Sequence, residues 1–482
     1  MAGLSKVLIA NRGEIAIRIA KAAAALGIES VAVYPAVDQL ALHTRVTTSA
    51  TEIAGVAVDA YLNAAELIAA AQRTGCDSVH PGYGFVAENA DFAAACQAAG
   101  LVFVGPPADV LRLFGNKVAA RELAQSLGIP VVAGGTVVRA AEHLRQQAAR
   151  VGYPVMLKAA AGGGGRGMRL IQHERDANDA FERCQSEALA AFGDGTLFLE
   201  KYVARPRHIE VQILADSTGD TVHLFERDCS VQLRNQKVVE IAPAPNLDAG
   251  VRAQLMGAAI RLAKAANYVN AGTVEFLVNP ETNEYFFIEC NPRIQVEHTV
   301  TELVTGIDLV ESQFQIAGGA SLAALGLNHR EAIAAPQGYA VQCRVVAGAG
   351  VISAYKEPSG PGVRVDGCGY AGYAPPPQFD PLLAKVIGRS NSSRSFVSAV
   401  DRTLAALNEF HIAGLPNNLI QLRQILANET FRSGDARTTL LSEKPALLEE
   451  NTLAAGRTLT LLERQAKSVA RDNSAAARCR RT

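Results

Sequence analysis

Two glutamates flank a turn-rich stretch. Glu275 lies in TVEFLV, Glu289 in YFFIECN, and NPETNE separates the two runs. Paired as a hairpin with its turn centred near Thr282, the runs place Glu275 directly opposite Glu289. Asn291 then shares their face, because side chains alternate along a strand. Like charges facing across a ladder are destabilising, so a buried pair either shares a proton or binds a cation. A second feature, LKAAAGGGGRGMRLI, puts glycines 162–165 after a strand that ends in Lys158. Only glycine tolerates the backbone geometries and close approach that phosphate contact requires. A Walker A loop needs G-K-[ST] and a following helix, whereas GMRLI reads as a strand. The stretch therefore predicts a glycine hairpin lid over phosphates, with Lys158 as a point charge at its base and Lys117, in GNK, as a second cation. A phosphate-binding loop beside paired acids selects magnesium. Asn291, Arg293 and Gln295 continue an alternating polar face while the chain stays extended, which suits a small anion beside the metal. Cys290 falls on the reverse face and is expected to pack there.

These groups need rigid elements to hold them. The opening reads strand (KVLIA), turn and helix (NRGEIAIRIAKAAAALG), strand (ESVAVY), and the alternation resumes through CDSVH, ENADFAAACQAAG and LVFVG. That is the pattern of a parallel, helix-covered sheet. The NRGE turn lacks G-x-G-x-x-G, which disfavours a dinucleotide site. Strands VMLKA, MRLIQ, LFLEKYV and HIEVQILAD follow, and from about Pro336 the chain is richer in glycine and proline. A length of 482 residues implies about two to four domains. The net charge of −1 argues against a nucleic-acid-binding surface spread over the chain. Eight scattered cysteines with no C-x-x-C pair fit a reducing compartment. No apolar run approaches the ~20 residues that span a membrane, and the N-terminal run is too short for a signal peptide, so a cytoplasmic protein is expected.

In order, ANRGEIAIRI, HPGYGFVAENADFA, GNK, KAAAGGGGRGMR, RPRHIEVQIL, ERDCSVQ, QKVVEIAPAP, GTVEFL and IECNPRIQVEHTVTELVTGIDLV resemble the motifs of biotin carboxylases, the ATP-grasp components of biotin-dependent carboxylases. The match runs from about Leu4 to about residue 445, and CQSEALAAFGDG and PSGPGVRVDGCGYAGYAPPPQFDPLLAKVI look most like single-chain bacterial acyl-CoA carboxylases. The resemblance implies an α/β fold in three parts. These are a Rossmann-like N-terminal domain (1–114), an ATP-grasp domain (115–335) with a mobile glycine-rich lid at about 131–205, and a β-rich C-terminal biotin carboxylase domain (336–446). A basic tail or linker (447–482) follows.

The resemblance also implies roles. Lys117, Lys158, Gly164, Gly165 and His208 would hold ATP phosphates, and Glu200, Lys201 and Val203 would meet adenine. Met168, Gln232, Asn235 and Leu277 would complete the ATP site, and Glu275, Glu289 and Asn291 would hold Mg2+ or Mn2+. Lys237, Arg293, Gln295 and Val296 would bind bicarbonate, with Glu297 as its general base. Arg344 would stabilise the biotin enolate, with Tyr83 nearby. His298 is assigned no role beyond structural support. None of the methionines at 1, 156, 168 and 256 adjoins a lysine, as biotin attachment sites do, so biotin is expected on a separate carrier protein. The expected partners are that carrier, a carboxyltransferase subunit and a second copy of the chain, with no nucleic acid or membrane. Two departures stand out. Asn235 replaces the family's usual histidine and Leu233 a usual arginine, so ATP binding is expected to weaken. After Arg344 the chain runs CRVVAGAGVISAY, shorter than the family's loop, which puts the placement of Arg344 in question. Two other readings stay open: a nucleotide-binding subunit with impaired turnover, and another ATP-grasp ligase that uses bicarbonate.

Overall fold

The computed structural model describes residues 3–160, 167–328, 333–392 and 395–449. The lid glycines 162–165, Gly164 and Gly165 among them, and the tail from residue 450 lie outside the described residues.

Strands Lys6–Ile9, Glu29–Tyr34, Ser49–Glu52, Ser78–His80 and Val102–Phe103 form a five-stranded parallel sheet with Lys6–Ile9 at its centre. Period-two alternation sends its side chains to opposite faces. Val7 and Ile9 pack with Ile15 and Ile19 of the helix Gly13–Ala25, whereas Leu8 and Val31 pack with Tyr61 and Leu67. The NRGE turn serves a structural purpose: Asn11 Nδ2 donates to the Pro81 and Tyr83 carbonyls at 2.7 and 2.8 Å. The first strand–helix junction thereby fastens the loop that carries Tyr83.

A four-stranded antiparallel sheet follows, in the order Gly134–Val138, Leu197–Lys201, Val155–Ala159, Met168–Ile171. Helices Ala141–Val151 and Ala177–Phe192 cover it, and Leu144, Ala148 and Cys184 join Leu157 and Leu199 in a core of its own.

The largest element is an eight-stranded antiparallel sheet. Its order is Tyr285–Asn291, Asn270–Val278, Arg207–Ala215, Thr221–Leu233, Gln236–Ala242, Tyr339–Val346, Leu382–Ser390, Val363–Gly367. The sheet runs without a break across position 336, since Val239 pairs with Cys343 and Glu240 with Gln342. An open edge at Gln236–Ala242 is thus capped by the chain's last third, which removes unpaired backbone groups. Glu275 pairs with Glu289, as the hairpin reading expects, but through a bulge: Phe276 pairs with Phe287, one residue out of step. The extended face does not continue as expected. The strand stops at Asn291, and the chain then bends at Arg293 and turns at Val296 and Glu297 instead. Cys290 is buried among Val274, Phe287 and Leu262. Cys290→Ala is expected to cost about 1 kcal/mol and leave turnover unchanged, checked by denaturant melts and ATPase assays.

Candidate active site

One strand face supplies the site's floor. His208, Glu210 and Gln212 alternate along Arg207–Ala215, and the neighbouring strand presents Glu275 opposite Glu210. The Lys237 ammonium sits among three carboxylates, 2.5 Å from Glu210 Oε2, 2.8 Å from Glu275 Oε1 and 2.6 Å from Glu297 Oε1. Glu210 is fully buried, and its other oxygen accepts from Arg227 Nε at 2.5 Å. Burial alone lowers a lysine, but Glu210, Glu275 and Glu297 outweigh it and hold Lys237 well above its ordinary value. Glu275 Oε1 also accepts from Asn291 Nδ2 and Gln295 Nε2, both at 2.9 Å, and Oε2 lies 2.8 Å from His208 Nε2. Gln232 Nε2 donates to His208 Nδ1 at 2.8 Å, which leaves the His208 proton on Nε2, facing Glu275. Burial raises the Glu275 carboxyl, yet Lys237 and His208 pull it well below its ordinary range.

Glu297 divides its two oxygens. Oε1 meets Lys237, and Oε2 accepts from an Arg344 terminal nitrogen at 3.0 Å. Arg344 Nε donates to Glu240 Oε1 at 2.5 Å. Burial raises Glu297, but Lys237, Arg344 and Arg227 together hold it ionised, far below the usual carboxyl range. The short segment after Arg344 does not leave this arginine unsupported. Its strand pairs on both sides, with Gln236–Ala242 and Leu382–Ser390. Asn418 also donates to the Arg344 carbonyl and accepts from Val346 N–H, each at 2.9 Å, while Gly348 N–H donates to the Pro416 carbonyl at 2.8 Å.

The residues expected to meet the nucleotide sit on other elements. Lys117, at the start of the helix Lys117–Ser126, lies 3.4 Å from Glu289. Lys158 pairs with Glu200 at 2.6 Å, and Glu200 also takes Arg121 at 3.0 Å. Met168 lies beside Lys158 on the adjoining strand, and Leu277 pairs with His208. The Lys201 ammonium faces away to the Gly152 and Tyr153 carbonyls, at 2.8 and 3.1 Å, and Val203 follows that strand half-buried. Asn235 occupies the two-residue turn between paired Leu233 and Gln236, where φ is +52° at Arg234 and +65° at Asn235. A type I′ turn needs positive φ at both places, and asparagine adopts it more readily than most residues.

Arg293 stands beside the central cluster and not in it. Its Nε pairs with Glu88 at 2.5 Å, and a terminal nitrogen donates to Asn291 Oδ1 at 3.2 Å. The Tyr83 hydroxyl donates to Glu14. His298 is fully buried and its Nδ1 lies 2.6 Å from the Gln295 carbonyl; burial keeps it neutral, helped by Lys385, Arg18 and Arg364. Glu210, Glu240 and Arg227 escaped the reading of the sequence. Their signal is a charged residue inside an apolar strand, as in HIEVQIL and VVEIA.

Two antiparallel sheets, one carrying Lys158 and the other the opposed acids Glu275 and Glu289 with Lys117 beside them, have the layout of an ATP-grasp protein. Three family descriptions match in series: "Biotin carboxylase, N-terminal domain" over residues 3–111, "Carbamoyl-phosphate synthase L chain, ATP binding domain" over 116–325, and "Biotin carboxylase C-terminal domain" over 341–443. Biotin carboxylase 1 of Bacillus subtilis is 43% identical over 449 residues, covering 91% of this chain and 98% of that one. The chain belongs to the biotin carboxylase family. Pyruvate carboxylase of Pichia angusta is 44% identical over 465 residues, but the chain spans only 39% of its length. Among solved structures, the biotin carboxylase domain dimer of Hydrogenobacter thermophilus 2-oxoglutarate carboxylase, in complex with MgADP, ADP and bicarbonate, superposes with a TM-score of 0.90 at 40% identity. That match covers 94% of this chain and 100% of that one. Among the described residues no helix is long and apolar enough to cross a membrane.

Proposed function

We propose that the chain carboxylates biotin presented by a carrier protein, using ATP and bicarbonate, as the first half-reaction of an acyl-CoA or pyruvate carboxylase. The observation that carries this reading is the double engagement of Glu297, one oxygen on Lys237 and the other on Arg344. Lys237, with Arg293, Gln295 and the Val296 backbone, binds bicarbonate. As Lys237 and Arg344 turn towards the substrates, Glu297 loses the charges that hold it ionised while its burial remains. Its proton affinity then rises, as a general base requires. Glu297 takes the bicarbonate proton as a bicarbonate oxygen bonds to the γ-phosphorus and the bond to ADP breaks. The resulting carboxyphosphate breaks into CO2 and inorganic phosphate beside biotin; the phosphate takes the ureido N–H proton, and Arg344 favours the ureido anion that captures CO2.

Glu275 and Glu289, opposed across the ladder with the Asn291 amide on their face, fit a hard divalent cation. Each carboxylate is balanced here by cationic or hydrogen-bonding side chains that a metal could relieve. Magnesium bound there would neutralise charge on the transferring phosphoryl group. Lys117, Lys158 and His208 hold the phosphates, the strand at Glu200, Lys201 and Val203 meets adenine, and Met168, Gln232, Asn235 and Leu277 complete the ATP site. Tyr83 lies at biotin. Residues 1–114, 115–335 and 336–446 act as the three parts of this machine, with a carboxyltransferase and a second copy of the chain as partners.

ATP hydrolysis in magnesium, with and without bicarbonate and free biotin, tests the reading. Bicarbonate-dependent turnover stimulated by biotin is expected. Turnover that needs bicarbonate but ignores biotin would favour a carbamoyl-phosphate-synthase-like ligase, and ATP binding without turnover would sink both.

A further inference from the structure

Lys385 has no solvent exposure and no part in the chemistry above. It sits on the strand Leu382–Ser390, where four segments of the chain converge. Its Nζ lies 2.9 Å from Glu14 Oε2 and 3.7 Å from Asp366 Oδ2, and donates to the Val296 carbonyl at 3.2 Å. The Glu14 contact is a close ion pair without hydrogen-bond alignment, since that oxygen accepts no directed hydrogen bond. Glu14's other oxygen accepts from the Tyr83 hydroxyl. Asp366 is separately held by Arg364, through Nε at 3.0 Å and a terminal nitrogen at 2.7 Å.

Two carboxylates lie within reach of this buried ammonium, at 2.9 and 3.7 Å. What distinguishes it from a merely structural ion pair is its third contact. Residues 292–297 lie beyond the end of their strand, so no ladder fixes the backbone that carries Glu297. Two side chains hold its carbonyls from outside: His298 at Gln295 and Lys385 at Val296. Lys385 is also one residue away, through Glu14, from the tyrosine on the biotin side.

We propose that Lys385 is a positioning residue that holds the Glu297 backbone and the Tyr83 hydroxyl in one fixed relation through Val296 and Glu14. This rests on the reading of Glu297 as the bicarbonate base and of Tyr83 at biotin. Misplacing a reacting group by about 1 Å can cost on the order of 10²-fold in rate, so a single lost backbone contact beside Glu297 is enough to be measured.

The test uses the full chain with ATP, magnesium, bicarbonate and free biotin. Lys385→Met keeps most of the side chain's length and removes its charge. The kcat for bicarbonate-dependent ATP cleavage is expected to fall roughly 10- to 100-fold and the KM for biotin to rise about fivefold or more. The KM for ATP stays within about twofold, because Lys117, Lys158 and His208 are untouched. A purely structural defect lowers the active fraction and leaves every KM in place. A folded Lys385→Met with unchanged kcat, or with reduced kcat at an unchanged biotin KM, overturns the proposal. Should Lys385→Met not fold, Glu14→Gln decides. It preserves size, and its biotin KM is expected to rise while the ATP KM does not; an unchanged biotin KM overturns the assignment. A wild-type chain without bicarbonate-dependent turnover removes the functional reading and this assignment together. An active wild type with unaffected variants removes this assignment alone.

Discussion

Glu297→Gln is expected to lose bicarbonate-dependent ATP cleavage by about 10²- to 10⁴-fold, the range a positioned general base contributes. The amide keeps the shape of the side chain but cannot accept the bicarbonate proton. The surroundings tolerate the change. Lys237 keeps Glu210 and Glu275, and Arg344 keeps Glu240, so neither cation is left alone. Nucleotide affinity should hold within about twofold, since no phosphate-side residue touches Glu297. Steady-state rates at saturating bicarbonate, with ATP affinity measured separately, check both halves. A variant that kept a third or more of the activity would rule Glu297 out as the base.

Lys237→Met should instead lose stability as well as turnover. It removes the one ammonium shared by Glu210, Glu275 and Glu297, and breaking a buried ion pair by deleting one partner costs about 3–5 kcal/mol. The lower end is expected, because Arg227 and Arg344 still compensate Glu210 and Glu297, and His208 still donates to Glu275. The pH dependence has a definite sign. Glu275 and Glu297 have carboxyls depressed in the folded chain, so in the wild type their contribution is present above the ordinary value of about 4.5 and is lost as pH falls through the folded value. Lys237→Met takes away the largest charge behind that depression. The stability gap between wild type and variant should therefore be widest above about pH 5 and shrink below it. Denaturant melts at neutral pH and near pH 4 measure the gap. An equal gap at both would place the stabilisation elsewhere.

The groups behind these effects differ in how far the sequence exposes them. The opposition of Glu275 and Glu289 could be read from a hairpin centred near Thr282, although beside the turn the register is one residue off and only the bulge restores that pairing. The bulge at Phe276 could not, since an extra residue on one strand leaves the alternation on either side of it intact. Glu297 and Lys237 were found through a family pattern. Glu210 and Glu240, which complete their charge balance, were not, although each sits as an acid in an apolar strand. A buried acid is uncommon but has no meaning until its partner is known. Asn235 is a chemical loss when the sequence alone is considered, whereas the turn supplies a conformational reason for asparagine at that place. The segment after Arg344 looked too short to position it, and the support comes instead from Asn418, 74 residues away.

By itself, then, the amino-acid order determined that Glu275, Glu289 and Asn291 share a face, which runs are strands, and that the chain has the ATP-grasp and biotin carboxylase motifs. These follow from periods of two and 3.6 residues and from local backbone preference, which act over a few positions. The tertiary structure alone decided how charges are divided. It set Lys237 among three acids, sent Arg293 to Glu88, joined the chain's last third to the central sheet and placed Lys385 between Glu14 and Val296. Electrostatic pairing depends on distance in space and on burial, and neither is a property of any short stretch of the chain.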